Sequence, residues 1–578
     1  MPRPARSSWT SSRPAGAFPM TNEQLADVFA ELALLSDVLG ESPFKVRAYE
    51  RAAETLRGMS ETAAELAESG RLREVPGFGK AIVEKIGELL RTGGLAKLDE
   101  LRAKVPQGVV DMLAVPGLGP RTAGLFHEKL GVSSLDELAE ALEDGTAAQL
   151  PRMGPKKIES LRVGLSQVRS YAGLFRFSEA VLAGEELSEA LGGAAGELAV
   201  TGEARRGVEA VRELHLLARA GDPEEAARVF AGLPSVDGAT VEGASVRAFA
   251  VGMPTRMEAV SPAGFALRLW ETTGSAAHVE AVRRSAGGRI PEGAASEEDI
   301  YAAAGLPFVP PELREGRGEV EDAAAGRLPE LVALSSIRGD LHVHTDWSDG
   351  RDGLVVLAAE AARLGYEYIA LTDHSESLRV AHGVESDRKR RQMAAVGEAA
   401  AALPCRVLVG AEVDILEDGS LDYDDGLLAE LDVVVASVHT KFTLSREAMT
   451  ERICRAMENP HVDVIAHPTG RILLERAAYT VDEGALIAAA ARTGTVLELN
   501  ALERFDLSAE NCRRAVAAGV KLAVASDAHA ASHLGAMRFG VVQARRAGAR
   551  RGDVLNARPL DELLSYLSLP KAERVSGC

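Results

Sequence analysis

Apolar residues recur at three- and four-residue spacing through residues 21–170, the period of helices that bury one face. Short glycine-bearing stretches interrupt them. From Ile337 the pattern changes. Compact apolar runs, DLHVHT, EYIALTDH, RVLVGAEVDI, DVVVASVH, VDVIAHP, TVLELN and KLAVASDAH, alternate with helical stretches such as Leu354–Leu364, Ser445–Met457 and Asp482–Thr493. Buried strands alternating with helices predict a parallel sheet or a β/α barrel. Residues 171–325 are mixed. A Gly/Ala-rich patch at Gly192–Gly196 precedes the short strand ELAVTG, Val246–Gly252 reads as a second strand, and Pro307–Glu321 reads as an ordered linker or small lobe.

The helical half contains a repeat. EVPGFGKAIVEKI (Glu74–Ile86) recurs as AVPGLGPRTAGLF (Ala114–Phe126), with a weaker third copy, LPRMGPKKIESL, at Leu150–Leu161. Each places a tight turn before a helix start, a helix-hairpin-helix pattern. Glycines there let backbone N–H groups approach a DNA phosphate, and the helix dipole favours the anion. Gly77, Gly79 and Lys80 of the first copy, and Gly117, Gly119, Arg121 and Thr122 of the second, are candidate DNA contacts. Such contacts ignore base sequence and predict recognition of DNA structure: gaps, nicks or abasic sites.

Length and composition narrow the class. At 578 residues the chain predicts about three to five domains. No apolar run reaches the ~18–20 residues of a membrane span. Residues 1–20, rich in Arg, Pro and Ser and lacking an apolar segment, read as a disordered tail. Four scattered cysteines, Cys405, Cys454, Cys512 and Cys578, indicate neither a disulfide framework nor a zinc ribbon and favour a reducing cytoplasm. A net charge of −20 argues against indiscriminate coating of nucleic acid.

The polar residues at the ends of the predicted carboxy-terminal strands carry the chemistry. His342, His344, Asp349, His374, Glu412, His439, His467, Asp527 and His529 lie within those strands, at their ends or in the loops just after them. Strand ends converge at one mouth of a β/α barrel, so six imidazoles and three carboxylates would share a cleft. Imidazole and carboxylate suit Zn, Mn or Fe, and nine donors exceed the needs of one ion. Two or three divalent ions are expected; such clusters clamp a phosphate, generate hydroxide near neutral pH and stabilise a leaving oxygen. Arg471 and Lys441 are candidate phosphate contacts, with solvated surface charge as the plainer alternative.

The segments RGDLHVHTDWSDG, LTDHS, GAEVDI, ASVH, AHPTGR and SDAH resemble the PHP (polymerase and histidinol phosphatase) superfamily, and in particular the PHP domain of bacterial family X DNA polymerases, over residues 337–572. The resemblance implies a manganese-dependent 3′→5′ exonuclease, with zinc or iron as other fitting metals, and often abasic-site endonuclease or 3′-phosphatase activity. It implies a first ion held by His342, His344, Glu412 and Asp527, a second by Glu412, His439 and His467, and a third by Asp349, His374 and His529. Glu412, Asp527, His439 and Arg471 would serve catalysis. The helical half resembles the lyase-type domain (21–95) and fingers (96–170) of the same polymerases. Lys85 falls six residues after Gly79, where DNA polymerase beta-like enzymes carry a Schiff-base lysine, and Lys45 and Tyr49 match positions of a 5′-phosphate pocket. An exposed helix lysine in the run EKIGE is the plainer reading of Lys85.

The middle departs from the family pattern. A palm at 171–262, followed by a thumb-like lobe at 263–325, would carry GS-x-RRG-x-E and three metal-binding aspartates. Here TGEARRGVEAVRELHLLA keeps Gly202, Arg205, Arg206, Gly207 and Glu209, but Glu203 stands for the serine, and Glu213, His215 and Arg256 for the aspartates. Without those carboxylates two Mg²⁺ ions have no cradle, which predicts loss of polymerase activity and a non-functional Mg-dNTP site.

The expectation is therefore a multidomain protein: a helix-hairpin-helix amino-terminal region, an α+β nucleotidyltransferase-like palm and thumb, and a distorted seven-stranded, TIM-like PHP β/α barrel. It would be a bacterial DNA repair protein, cytoplasmic and nucleoid-associated, monomeric, with DNA and other repair proteins as partners. Two alternatives stand: an active gap-filling polymerase with a proofreading PHP domain, and a small-molecule phosphatase of the histidinol-phosphate type.

Overall fold

The computed structural model describes residues 20–59, 61–192 and 196–575. Residues 1–19 of the expected tail lie outside the described residues. The chain divides into two compact units, one up to Ala172 and one from Gly173 onward.

The first unit is helical throughout. Its opening helix, Asn22–Val38, starts at a capping box in which Thr21 and Gln24 satisfy each other's orphan backbone groups. The three repeats become three hairpins of one geometry. Gly79, Gly119 and Gly154 each cap a helix: Lys80–Thr92, Pro120–Leu130 and Pro155–Tyr171. Two residues before each cap the backbone turns left-handed, at Gly77 (φ 89°), Gly117 (φ 83°) and Arg152 (φ 64°). Glycine adopts that conformation without a Cβ penalty. The third copy looked weak because an arginine occupies the position, yet the turn is the same. One apolar core, from Leu25 to Leu165, runs beneath all three.

The second unit holds two sheets and a small ladder. The ladder pairs β1 (Phe175–Arg176) with β3 (Ala210–Val211). A five-stranded mixed sheet contains β2 (Glu197–Val200), β4 (Leu214–Arg219), β5 (Val236–Glu242), β6 (Ser245–Ala250) and β7 (Met253–Val260), in the order β2-β4-β7-β6-β5. One face of it, including Leu216, Val246 and Met257, packs into an apolar core that also takes in Phe505 and Phe539 from the carboxy-terminal part. Phe177 touches both rings, at centroid distances of 5.1 and 5.7 Å.

All seven expected carboxy-terminal strands form: β8 (Gly339–Val343), β9 (Tyr368–Leu371), β10 (Arg406–Asp414), β11 (Val433–Ser437), β12 (Val464–Ile465), β13 (Val496–Asn500) and β14 (Leu522–Ala525). They pair in parallel in sequence order, giving a nearly closed barrel. Beyond a single bridge between Val343 and Ala528, side chains close the gap between β14 and β8. Asn556 donates to the carbonyls of Gly339 and Val524 and accepts from Val524 N–H. Asp340 accepts from Ser526 N–H and from His342 N–H. Buried backbone groups that lack a ladder partner must find one elsewhere, and these two side chains supply it. Among the described residues no helix is long and apolar enough to cross a membrane.

Candidate metal centre

The nine donors meet at one end of the barrel. Alternation along each strand turns one set of side chains outward to the helices and the other inward. His342 and His344 project from β8 and its end, His374 from just after β9, Glu412 from within β10, His439 and His467 from just after β11 and β12, and Asp527 and His529 from just after β14. Ligand atoms fall into three overlapping groups, each within 4.8 Å: His344 with Asp349, His374 and His529; His342 with His344 and Asp527; His374 with Glu412 and His439. Glu412 sits centrally, with Oε2 3.4 Å from His342 Nε2 and 3.5 Å from His344 Nε2. His467 belongs to none of the three groups; its Nε2 lies 2.9 Å from Glu412 Oε1.

Buried donors without protein partners show what the cluster fits. His342 Nε2, both ring nitrogens of His344, Glu412 Oε2 and His467 Nδ1 have no hydrogen-bond partner among the described residues. His374 Nδ1 lies 2.8 Å from Glu412 Oε2 but outside hydrogen-bonding geometry. Orphaned lone pairs in a dry site are costly unless something else satisfies them. Cations of the Zn, Mn or Fe class match this donor set.

Outer partners aim the rings. Glu498 Oε1 accepts from His342 Nδ1 at 2.6 Å, Asp414 from His439 Nδ1 at 3.0 Å, and the Asp527 carbonyl from His529 Nδ1 at 2.8 Å. Each contact ties one ring nitrogen and leaves Nε2 for the centre. Asp527 itself is held by Asn500 Nδ2 at 3.0 Å and Arg504 Nε at 3.3 Å. The backbone is left-handed at His467 (φ 29°) and Asp527 (φ 54°), a conformation that costs ~1–3 kcal/mol in a non-glycine residue and is found where function demands it.

Charge is divided unevenly. Burial works against the imidazolium of His342, but Glu498, Asp527 and Glu412 outweigh it and hold the pKa well above the ordinary value. Burial is likewise overcome at His374 by Glu412 and Asp349, raising it to about 10. Burial and the neighbouring His529 and His374 lower His344 to about 4, and burial with Arg504 lowers His467 to about 3. Despite burial, Glu412 and Asp527 stay well below the carboxylate range because histidines surround them. Asp349 and His529 are 30% and 31% exposed in their side chains, against 14% for His439, so the cluster opens to solvent on their side.

Glu498, Asn500, Arg504 and Asp414 were missed in the sequence. A signal existed: Glu498 and Asn500 interrupt the apolar strand VLELN at alternate positions, where only an inward polar partner makes sense.

Other expected site residues take different places. The Arg471 guanidinium is engaged with the Phe505 carbonyl and, at 3.0 Å, with Glu209, so it ties barrel to palm. Lys441 pairs with Glu417 at 2.9 Å. In the helical unit Lys80 is exposed, Arg121 pairs with Asp37 at 2.9 Å, and the Thr122 N–H is used by the Gly119 carbonyl. Lys85 and Lys45 flank the Tyr49 ring at 5.8 and 6.0 Å, and Lys45 pairs with Glu41.

In the palm, the residues that match the family motif have structural employment. Arg205 binds Glu297, Arg206 binds Glu315 and the Thr273 carbonyl, and Gly207 packs so closely on Val542 that a Cβ would lie 2.3 Å from it. The residues that depart from it face outward. Glu203 is exposed, Glu213 pairs with His215 at 2.8 Å, and the register of β4 with β7 sets His215 directly opposite Arg256.

Comparison with known proteins agrees with this architecture. Residues 20–95 match the helix-hairpin-helix domain family, 109–167 the SAM-like helix-hairpin-helix tandem, and 340–500 the PHP domain. Over 571 residues, 95% of this chain and 99% of the relative, the chain is 33% identical to the DNA polymerase/3'-5' exonuclease PolX of Bacillus subtilis. Two shorter relatives are probable phosphatases. One, from Thermoanaerobacter sp. (strain X514), is 31% identical over 41% of this chain and 97% of its own length. The other, from Syntrophotalea carbinolica, is 30% identical over 40% and 95%.

Proposed function

This chain belongs to the PolX group of family X DNA polymerases with a PHP domain, and from that premise we propose that it is a DNA repair enzyme that binds gapped or damaged DNA and hydrolyses phosphodiesters at 3′ ends, with its polymerase site out of use. The convergence of nine donors on one cleft, with buried nitrogens that have no hydrogen-bond partner among the described residues, carries this reading.

Two or three divalent ions, manganese first among them, would be held by His342, His344, Glu412 and Asp527, by Glu412, His439 and His467, and by Asp349, His374 and His529. Bound there, the ions supply Lewis-acid polarisation of a phosphate and a nucleophile from water near neutral pH. The protein's own part is orientation. Glu498 and Asp414 fix ring tautomers, Asn500 and Arg504 fix the Asp527 carboxylate, and the opening beside Asp349 and His529 admits a phosphate from solvent. The helix-hairpin-helix turns would dock the duplex through backbone N–H groups. In the palm, a Glu–His pair and an arginine with no ion pair among the described residues stand where three carboxylates are needed, which supports loss of nucleotidyl transfer.

The relatives named probable phosphatases support a second reading for the barrel, a small-molecule phosphatase. A labelled primer on a one-nucleotide gapped duplex with Mn²⁺, with and without dNTPs, tests both, run beside histidinol phosphate. Shortening in both lanes is expected. Extension with dNTPs overturns the polymerase claim, and phosphate release from histidinol phosphate without primer shortening overturns the nuclease claim.

A further inference from the structure

Strand β13 ends at Asn500, and the loop 501–508 that follows it joins the metal centre to the palm. On the side of the centre, Arg504 Nε lies 3.3 Å from Asp527 Oδ2, the one hydrogen bond of its guanidinium among the described residues; its Nη1 is buried without a partner. Asn500 Nδ2 reaches the same oxygen at 3.0 Å. With Oδ2 held, Oδ1 faces the histidines, 3.2 Å from His344 Nε2 and 3.6 Å from His342 Nε2. The next residue serves the other side. Phe505 is fully buried, and its ring lies in the palm core, with its centroid 5.1 Å from that of Phe177. Phe177 opens the helix Phe177–Leu191 just after β1.

Hydrogen bonds hold the path of the loop. Asn500 N–H donates to the Asp506 carbonyl at 2.7 Å, and Thr469 N–H to the Asp506 carboxylate at 3.0 Å. The carbonyls of Glu503 and Phe505 accept from Leu473 N–H and from Arg471. A carbonyl that loses its donor can accept from water, whereas a phenyl ring has no such substitute for an apolar seat. Phe505 also carries a left-handed backbone, φ 44°, which is strained in a residue with a Cβ. Such strain persists only where the surroundings outweigh it, and burial of the ring against Phe177 does so here. Without that seat the backbone would relax, and Arg504, one residue away, would leave Asp527. We propose that the palm sets the metal centre through this ring contact. Phe177 is a positioning residue: it seats Phe505, keeps Arg504 on Asp527 Oδ2 and so presents Oδ1 beside His342 and His344. The proposal rests on the reading of the barrel mouth as a metal centre, not on the reaction run there. It gives the palm a part in the barrel's chemistry that the palm's own sheet face does not enter.

The test titrates Mn²⁺ into the metal-free full-length protein and follows free Mn²⁺ by electron paramagnetic resonance. Phe177→Ala should weaken one bound ion about tenfold, the lower end for a partner of a metal ligand, and leave the rest unchanged. Arg504→Gln should weaken the same ion at least as much. Adding Phe177→Ala to Arg504→Gln should cause no further loss, because both act by one route. Glu185→Gln is the control: it loosens the ion pair to Arg538, at 2.7 Å, that ties the same helix to the barrel, and should leave every affinity unchanged. If Phe177→Ala does not fold, Phe177→Leu carries the same cycle with a smaller loss. No Mn²⁺ bound by the unsubstituted protein would overturn the metal-centre reading and the proposal together. Full affinity in a folded Phe177 variant, losses that multiply in the double variant, or equal weakening in Glu185→Gln would overturn the proposal alone.

Discussion

The barrel mouth and the palm face are both polar sites built on sheets, and they differ in what stands behind them. In the barrel, donors converge, lie buried, and rest on further side chains: Glu498 behind His342, Asp414 behind His439, Asn500 and Arg504 behind Asp527. On the palm face half-buried Glu213 and His215 are paired only with each other among the described residues, and exposed Arg256 lies opposite His215. A metal centre requires ligands fixed within fractions of an ångström, which a supporting shell provides and a splayed row does not. The palm nevertheless keeps its fold, because its motif residues Arg205, Arg206, Gly207 and Glu209 are employed in packing and ion pairs with the thumb and the barrel. These motif residues thus have structural roles whether or not that face carries out chemistry.

The sharpest break in the comparison comes from removing a central ligand. Glu412→Ala or Asp527→Ala should cut Mn²⁺-dependent primer shortening by more than ~100-fold, beyond the range typical of an outer partner, and lower bound metal by elemental analysis, while DNA binding in EDTA stays unchanged. Equal loss of DNA binding would mean that these residues hold the fold instead. Next comes the supporting shell. Glu498→Gln keeps the shape but weakens the grip on His342 Nδ1, and a ~10–100-fold loss of metal affinity is expected by titration; an unaltered affinity would assign Glu498 to packing alone.

Breaking the tie between the two regions is a smaller step. Arg471→Ala leaves Glu209 without its partner at a partly buried contact and should cost ~1–3 kcal/mol in denaturant unfolding, with metal content unchanged. If activity falls and stability does not, Arg471 reaches the substrate after all. The smallest effect belongs to the hairpins. Gly77→Ala forces a Cβ into a left-handed turn at φ 89°, a strain of ~1–2 kcal/mol, and a several-fold loss of affinity for gapped duplex is expected by anisotropy. Gly79→Ala, at φ −69°, should leave the turn intact and isolate that strain.

Much of this was legible along the chain because it is local. Helical periodicity, the thrice-repeated turn, the seven apolar strands and the donors at their ends are patterns of neighbouring residues, and the physics of helix, turn and strand acts over a few positions. Even the order of the barrel follows from strands that alternate with helices. Tertiary structure alone decided what depends on residues far apart. It brought Asp527 from one edge of the barrel beside His342 from the other, and recruited Glu498, an apparent blemish in an apolar strand, as the partner of a ring 156 positions away. It turned Arg471 from a candidate phosphate contact into a tie to Glu209, and set Arg256 between His215 and Arg247 through strand register. A side chain's chemistry is written at its own position, but its partner, burial and direction are properties of the packed whole.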